Sequence, residues 1–221
     1  MVVTRAVPPR RFDLGVFKAH LGYGLRVWPG IVAQFGVNRM DQIVLVNVVP
    51  SEELAVYAIA VTAALLSAPV AFAFAQVAFP DMKSVDSETS EQVFRQALRY
   101  TVAASTLAAT AMAILSRWVL GLFGPTYAEL GRPVLLLLLP GQVCMDAAGV
   151  VAARIQAQGR PEVVSIGLGL SVVMTAVGLA LVISPFGIKG VAVVTTVTQV
   201  TYLLFLLSHL RRERRRAVAA A

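Results

Sequence analysis

Residues 27–49 read VWPGIVAQFGVNRMDQIVLVNVV, an apolar stretch that carries Arg39 and Asp41 near its middle. A helix needs roughly 20 residues to cross the hydrocarbon core of a bilayer, and this stretch is long enough. A central charge in such a helix costs roughly 2.5 to 3.5 kcal/mol on insertion scales, so it usually faces a bundle interior or a wet cavity. The stretch therefore predicts a membrane-spanning helix, and its two charges are the first candidates for a functional site.

The composition of the whole chain also indicates a membrane protein. Of the 221 residues, 57% are hydrophobic and only 14% are charged, whereas a soluble domain carries about 25% charged residues. The single cysteine, Cys144, provides neither a disulfide framework nor a zinc-ligand spacing. His20 and His209 lie far apart in the sequence without a nucleophile, and no phosphate-binding glycine loop occurs. We therefore expect a membrane protein that is not an enzyme and that holds no metal or organic cofactor.

Further apolar windows along the chain predict an all-α bundle of six transmembrane helices. The six spans lie near residues 25–48, 54–79, 98–120, 133–153, 163–184 and 188–208. Turn-forming sequences separate them at Pro50, residues 80–92, Gly124-Pro125, Gly159-Arg160-Pro161 and Pro185-Phe186-Gly187. The predicted organisation is a basic N-terminal segment (1–20) at the cytoplasmic interface, a six-helix lobe (21–210) and a basic tail (211–221).

Basic residues are concentrated on one side of this predicted bundle. Fourteen of the 19 Lys and Arg residues fall in residues 1–20, 80–99, 154–160 and 211–221, which alternate connections place on the same side. The opposite side has only Arg117, Arg132 and Lys189. By the positive-inside rule, both termini should be cytoplasmic and the protein should lie in the inner membrane. Because the basic tail directly follows a span, it is typical of an anchor on anionic lipid and not of nucleic-acid binding.

The polar residues of the first span fall on two faces. Residues two apart on a helix point in nearly opposite directions, so Arg39 and Asp41 need separate partners. Asp41 shares a stripe with Gln34 and Asn38, which predicts the wall of a polar lumen. Arg39 lies on the other face, and Arg26 is near enough to the interface for its head group to reach water. The alternative is that both central charges only bond to neighbouring helices and fix the bundle.

Two later spans also carry polar residues. The last span has a polar stripe made of Thr195, Thr198, Gln199 and Tyr202. Such a stripe fits either helix packing or the lining of a cavity, and Gln199 favours the cavity. In the fourth span, Asp146 follows the helix-breaking pair Pro140-Gly141. It could pair with Arg39, titrate during transport or simply contact water.

Several short motifs occur in a characteristic order. They are Asn38-Arg39-Met40-Asp41, Val56-Tyr57-Ala58-Ile59-Ala60, Leu122-Phe123-Gly124 with Tyr127, Gly159-Arg160, and Gly187-Ile188 with Gly190. With these motifs, residues 12–210 resemble the C-terminal half of the polysaccharide (O-antigen type) flippases, in the multidrug and oligosaccharidyl-lipid exporter (MATE-like) superfamily. The resemblance implies one lobe of a two-lobe transporter that alternates access around a central cavity. The second lobe would be a separate N-terminal half or another copy of this chain.

The resemblance also implies a substrate, a lipid that carries an oligosaccharide through a diphosphate and crosses the bilayer for cell-surface polysaccharide (O-antigen or lipopolysaccharide) biosynthesis. Arg26 and Arg39 would then meet anionic groups. Asp41 would position that basic site or act as a gate that responds to protons or sodium. Sugar hydroxyls would bond to Gln34, Asn38, Thr198 and Gln199. Two alternatives stay open: a non-transporting or truncated subunit associated with envelope polysaccharide synthesis, and one half of a drug or cation antiporter.

Overall fold

The computed structural model describes residues 14–82 and 87–219, and this part of the chain is helical apart from short turns, without strands. The helices are α1 (Leu14–Leu45), α2 (Ser51–Ala64), α3 (Ala68–Met82), α4 (Ser87–Gly121), α5 (Pro125–Ala157) and α6 (Pro161–Ala219). A 3₁₀ turn, Leu65–Ser67, joins α2 directly to α3, so these two helices form one irregular rod. The all-α prediction is confirmed. Most of the predicted N-terminal segment, residues 1–13, lies outside the described residues.

Most predicted turns lie at helix boundaries. Gly124 has a φ of 129° and precedes α5, and Gly159 has a φ of 80° between α5 and α6. Glycine adopts such positive φ values without steric cost, which is why these two residues end the helices. The prediction of a polar loop at residues 80–92 is wrong over much of this range, because α3 continues to Met82 and α4 begins at Ser87. Side-chain bonds between residues four apart, such as Arg95 to Glu91, stabilise this first part of α4.

α6 consists of two helical arms that fold into a hairpin. Along the chain, the helix is interrupted at a single residue, Gly187. Gly187 has a φ of 53° and a ψ of −144°, which interrupts the helical backbone two residues after Pro185. Residues on the two sides of this kink contact one another in the pairs Gly167 with Phe205, Thr175 with Thr198, and Gly178 with Val194. In all three pairs, the two residues lie at similar distances along the sequence on either side of the kink. The first arm (161–186) and the second arm (188–219) therefore run antiparallel, with the predicted turn between them.

α5 is the central helix of the bundle. Its buried side chains belong to two apolar cores, one around Leu120 and Val134 and the other around Phe94 and Ile155. The helix continues through Pro140-Gly141, so the expectation that this pair breaks it is wrong. Packing on several sides by α4 and α6 supports the backbone where the proline removes a hydrogen bond.

Three of the described helices, α4, α5 and α6, are long and apolar enough to cross a membrane. Large apolar side chains also cover the outer face of α1, where Leu25, Trp28 and Phe35 are each more than 60% exposed. Exposed apolar surface of this extent is typical of contact with lipid or with another protein. These features indicate a membrane protein, while the full count of six spans stays a prediction.

Gly141 marks a close approach between α5 and the second arm of α6. A Cβ atom at this position would lie 2.8 Å from the Thr196 Cα atom, closer than real Cβ contacts. We expect Gly141→Ala to lower the free energy of unfolding by about 1–3 kcal/mol, because a helix backbone has to move. Gly149→Ala on the same helix is the control, since its Cβ would meet no atom within 4 Å. The control should be neutral or stabilise by up to about 1 kcal/mol. Thermal unfolding in detergent measures both, and equal midpoints would contradict this packing.

Candidate functional site

A cleft of about 610 Å³ opens between α1, the α2–α3 rod, α5 and α6. Amide side chains line it at five positions, Gln34, Asn38, Gln76, Gln142 and Gln156. Aromatic side chains lie at the cleft as well, and these are Phe72, Phe79 and Tyr202. None of the described side chains that line the cleft is basic, and Asp146 is the acidic one. The cleft therefore offers many neutral hydrogen-bonding groups beside apolar faces.

Asp146 is held at the floor of the cleft. The Ser105 hydroxyl of α4 donates a 2.6 Å hydrogen bond to Asp146 Oδ2, and Gln142 Nε2 donates a 2.7 Å bond to Oδ1. All three side chains are buried. Hydrogen bonds to both carboxyl oxygens offset the cost of burying this group and fix its orientation.

Gln34 and Asn38 form a short polar ladder on α1. Gln34 Nε2 donates a 3.2 Å hydrogen bond to Asn38 Oδ1, one helical turn away. This bond leaves the Asn38 amide donor and the Gln34 carbonyl oxygen available to a ligand. Asn38 lies at the exposed rim, whereas Asp146 and Gln142 lie at the buried floor. The cleft thus presents polar groups from its mouth to its base.

Four of the site residues predicted from the sequence line this cleft together, namely Gln34, Asn38, Asp146 and Tyr202. They come from three different helices, α1, α5 and α6. Arg26 belongs to α1, but its side chain lies outside the described part of the structure. The remaining predicted residues lie elsewhere, at contacts between helices or on the outer face of α1.

Asp41 lies in the contact between α1 and α2, away from the cleft. The Tyr57 hydroxyl donates a 2.5 Å hydrogen bond to Asp41 Oδ2, and the Gln42 backbone N–H donates a 2.8 Å bond to Oδ1. Asp41 is 3% exposed and Tyr57 is fully buried. Asp41 is on the same side of α1 as Gln34, but about 10 Å further along the axis. There α2 covers this face of the helix, so the lumen stripe ends before Asp41.

Arg39 lies on the exposed face of α1, as its position relative to Asp41 requires. Its Nη1 donates a 3.1 Å hydrogen bond to Gln42 Oε1. The flanking apolar side chains are also exposed, with Phe35 at 66% and Ile43 at 60%. Among the described residues, Arg39 forms no ion pair with Asp146, so that suggested pairing is wrong. Arg39 is therefore placed to contact lipid or another protein on this face of α1.

The polar stripe of the last predicted span divides between two roles. Tyr202 lines the cleft. Thr198 is buried and accepts a 3.4 Å hydrogen bond from Thr175 of the first arm. Gln199 packs over Gly141 of α5, and Thr195 lies beside the Tyr57 hydroxyl. In this structure, three of the four residues therefore join helices, which is the alternative that the sequence left open.

Some cleft residues were not among the predicted site residues. They are Phe72, Gln76, Phe79, Gln142 and Gln156. Gln76 gives a usable signal, because it is a single amide within the apolar run of residues 68–79. Gln142 gives the same signal one turn before Asp146. The aromatic residues give none, since apolar side chains are expected throughout a membrane helix.

A comparison with known protein families bears on this arrangement. The family described as "Polysaccharide biosynthesis protein" matches residues 1–132, more than half of the chain. The chain belongs to this family. The matched part includes the Gln34–Asn38 ladder and the Asp41–Tyr57 pair. No curated protein sequence matches the chain.

Two solved structures share the fold of this chain. One is a multidrug resistance transporter of the MATE family in the MOP superfamily, in an outward-facing conformation. Its TM-score to this chain is 0.76 and its sequence identity is 18%. The match covers 93% of this chain and 49% of that transporter. The other is a MOP superfamily transporter from Pyrococcus furiosus, with a TM-score of 0.72 and 17% identity, over 91% of this chain and 48% of that one. The chain thus spans about half the length of these transporters. Both solved proteins are described as transporters.

Proposed function

We propose that this protein is one lobe of a flippase that moves a lipid-linked oligosaccharide across the cytoplasmic membrane. The observation that carries the proposal is the amide-rich and aromatic cleft of about 610 Å³ in a fold that corresponds to half of a transporter. Membership of the family supports a substrate related to polysaccharide, and the fold supports a role in transport. Alternating access would require a second lobe, either a separate N-terminal half or another copy of this chain.

The chemistry of the cleft suits the sugar part of such a substrate. Sugar hydroxyls donate and accept hydrogen bonds, and amide side chains do both as well. Aromatic rings such as Phe72 and Phe79 provide apolar faces for the sugar ring. Because no described basic side chain lines the cleft, the diphosphate would lie outside it, toward the second lobe. Arg39, and Arg26 with it, remain our candidates for that anionic part.

We place six rods across the bilayer, namely α1, the α2–α3 rod, α4, α5 and the two arms of α6. These rods support the six spans expected from hydropathy. At one end of the bundle, Arg154 bonds to Ser90 and the Met82 carbonyl, and Arg160 pairs with Glu213 near the end of the second arm. The same end carries most of the basic residues and, by the positive-inside rule, faces the cytoplasm together with both termini. We propose that a proton or a sodium ion couples transport; Asp146 is the acidic side chain among the described residues that line the cleft.

Complementation tests the flippase proposal. We expect the chain to restore surface polysaccharide to a flippase-deficient strain when it is expressed with a candidate N-terminal half, or alone if two copies form the transporter. Membrane insertion of each chain is checked by immunoblotting of the membrane fraction. If both halves are inserted and stable but surface polysaccharide stays absent, the chain is not a transporting lobe. That outcome would favour the non-transporting subunit.

A half antiporter for drugs or cations is a second candidate, since one of the solved proteins with this fold is a multidrug resistance transporter. The anchored Asp146 carboxyl in a partly apolar cleft is the feature that would suit a cationic drug. This candidate predicts substrate-driven proton or sodium exchange in vesicles reconstituted with the complete transporter. A flippase predicts no such exchange with a cationic drug.

A further inference from the structure

A second depression lies where α4 ends and α5 begins, at the opposite end of the bundle from Arg154. Its volume is about 570 Å³. Its lining includes Arg117 and Gly121 from α4 and Glu129, Arg132 and Leu136 from α5. We name this depression the arginine groove. None of its residues lines the amide-rich cleft.

The two basic side chains of the arginine groove have no partner within the part of the protein that the structure describes. Arg117 and Arg132 are exposed, and neither forms a hydrogen bond or an ion pair with a described residue. Glu129 is the single carboxyl among the lining residues, and it is likewise unpaired in the described structure. Two guanidinium groups and one carboxylate leave one net positive charge. A guanidinium binds phosphate oxygens through two parallel hydrogen bonds, so a phosphate is the anion that this pair suits.

Apolar side chains surround the arginine groove on its outer side. Trp118 is 80% exposed, Leu122 is 85% exposed and Phe123 is 56% exposed. Trp118 and Leu122 border a smaller depression that shares Arg117 and Gly121 with the groove. Exposed tryptophan beside arginine is typical of the boundary between the hydrocarbon core and water. The groove therefore lies at the depth where phospholipid head groups are found.

We propose that the arginine groove binds an anionic phospholipid that carries a single phosphodiester. Arg117 and Arg132 contact the phosphate, and the acyl chains run along Leu136 or the exposed Trp118 and Leu122. One net positive charge matches one phosphodiester. Inorganic phosphate would meet the same arginines but would gain nothing from the apolar rim. The proposal requires only that the chain is inserted in a membrane, so it stands or fails independently of the flippase function.

Gly121 provides the space in the groove. A Cβ atom at Gly121 would meet no atom within 4 Å. A leucine there would fill the groove without removing a charge or displacing the neighbouring helices. Lys189 offers a matched control for charge, because it lies after the Gly187 kink at the same end of the bundle and does not line the groove.

The test measures the lipids that stay bound to the full-length protein. The wild type, Arg117→Gln/Arg132→Gln, Gly121→Leu and Lys189→Gln are purified from nanodiscs that contain equal amounts of phosphatidylglycerol and phosphatidylcholine, and bound lipid is counted by native mass spectrometry. We expect the wild type and Lys189→Gln to retain phosphatidylglycerol preferentially. Each lost arginine should reduce this preference about fivefold. Gly121→Leu should reduce it while keeping all charges.

Three results would overturn the proposal. The first is equal retention of the two lipids by the wild type. The second is a loss of preference in Lys189→Gln as large as in the double variant, which would reflect net charge alone. The third is displacement of the bound lipid by excess inorganic phosphate, which would show that a free anion suffices. If the double variant does not fold, Gly121→Leu and the phosphate competition decide the matter.

Discussion

Gly149→Phe is expected to reduce surface polysaccharide to the background of the flippase-deficient strain while the protein stays folded and inserted. Gly149 lines the amide-rich cleft one turn after Met145, and a Cβ atom there would meet no atom within 4 Å. An aromatic ring at this position would extend into the cleft and occupy the space that we assign to the sugar. The substitution removes no hydrogen bond and no charge, so the expected loss is steric. Quantification of surface polysaccharide in the complemented strain measures it.

Gly169→Phe is the matched control for this substitution. Gly169 is also a helical glycine whose Cβ would meet no atom within 4 Å, and it does not line the cleft. We expect this variant to keep the activity of the wild type. If Gly149→Phe retained full activity with equal membrane abundance, the cleft would not be the path of the sugar. If both variants lost activity together, the effect would arise from the added ring and not from the cleft.

Tyr57→Phe is expected to lower the free energy of unfolding by about 3 kcal/mol, at the upper end of the cost of leaving a buried hydrogen-bonding group unsatisfied. The variant removes the hydroxyl that donates to Asp41 Oδ2 and leaves the aromatic ring in place. Asp41 then remains 3% exposed with one acceptor atom unsatisfied. Chemical denaturation in detergent measures the change. Combining Tyr57→Phe with Asp41→Asn should cost less than the sum of the two single changes, because both remove the same interaction.

Tyr100→Phe serves as the control for the loss of a hydroxyl. Tyr100 is 53% exposed, and its hydroxyl accepts a 3.3 Å bond from Gln96 on the same helix. A change at such an exposed position is expected to stay within about 0.5 kcal/mol. Equal effects of Tyr57→Phe and Tyr100→Phe would mean that the Asp41–Tyr57 bond does not hold α1 against α2.

Much of the fold can be predicted from the sequence because the determinants are local. The long apolar windows predict helices, and Gly124, Gly159 and Gly187 have backbone conformations that favour glycine, so the turns fall where these residues occur. The loop at residues 80–92 is the instructive error. Its Asp, Glu, Ser and Thr content is typical of a loop, but the residues from Ser87 onward extend α4 and are stabilised by bonds such as Arg95 to Glu91.

The candidate site is less predictable, and Asp41 shows why. The helical period correctly places Gln34, Asn38 and Asp41 on one side of α1 and Arg39 on the other. It cannot show that the open cleft lies beside Gln34 and Asn38 while α2 covers Asp41. The same applies to Gln199, whose amide packs over Gly141 because α5 approaches the second arm closely there.

The sequence by itself determined that the described part of this protein is all-helical, where most of its helices turn and which residues share a face of each helix. These properties depend on side chains and backbone conformations within a few residues of one another. Only the tertiary structure decided that Asp146 joins Gln34, Asn38 and Tyr202 in one cleft, that Asp41 bonds to Tyr57, and that Arg117 and Arg132 meet in one groove. Those outcomes depend on which helix packs against each face and at what height, and packing between distant segments settles both.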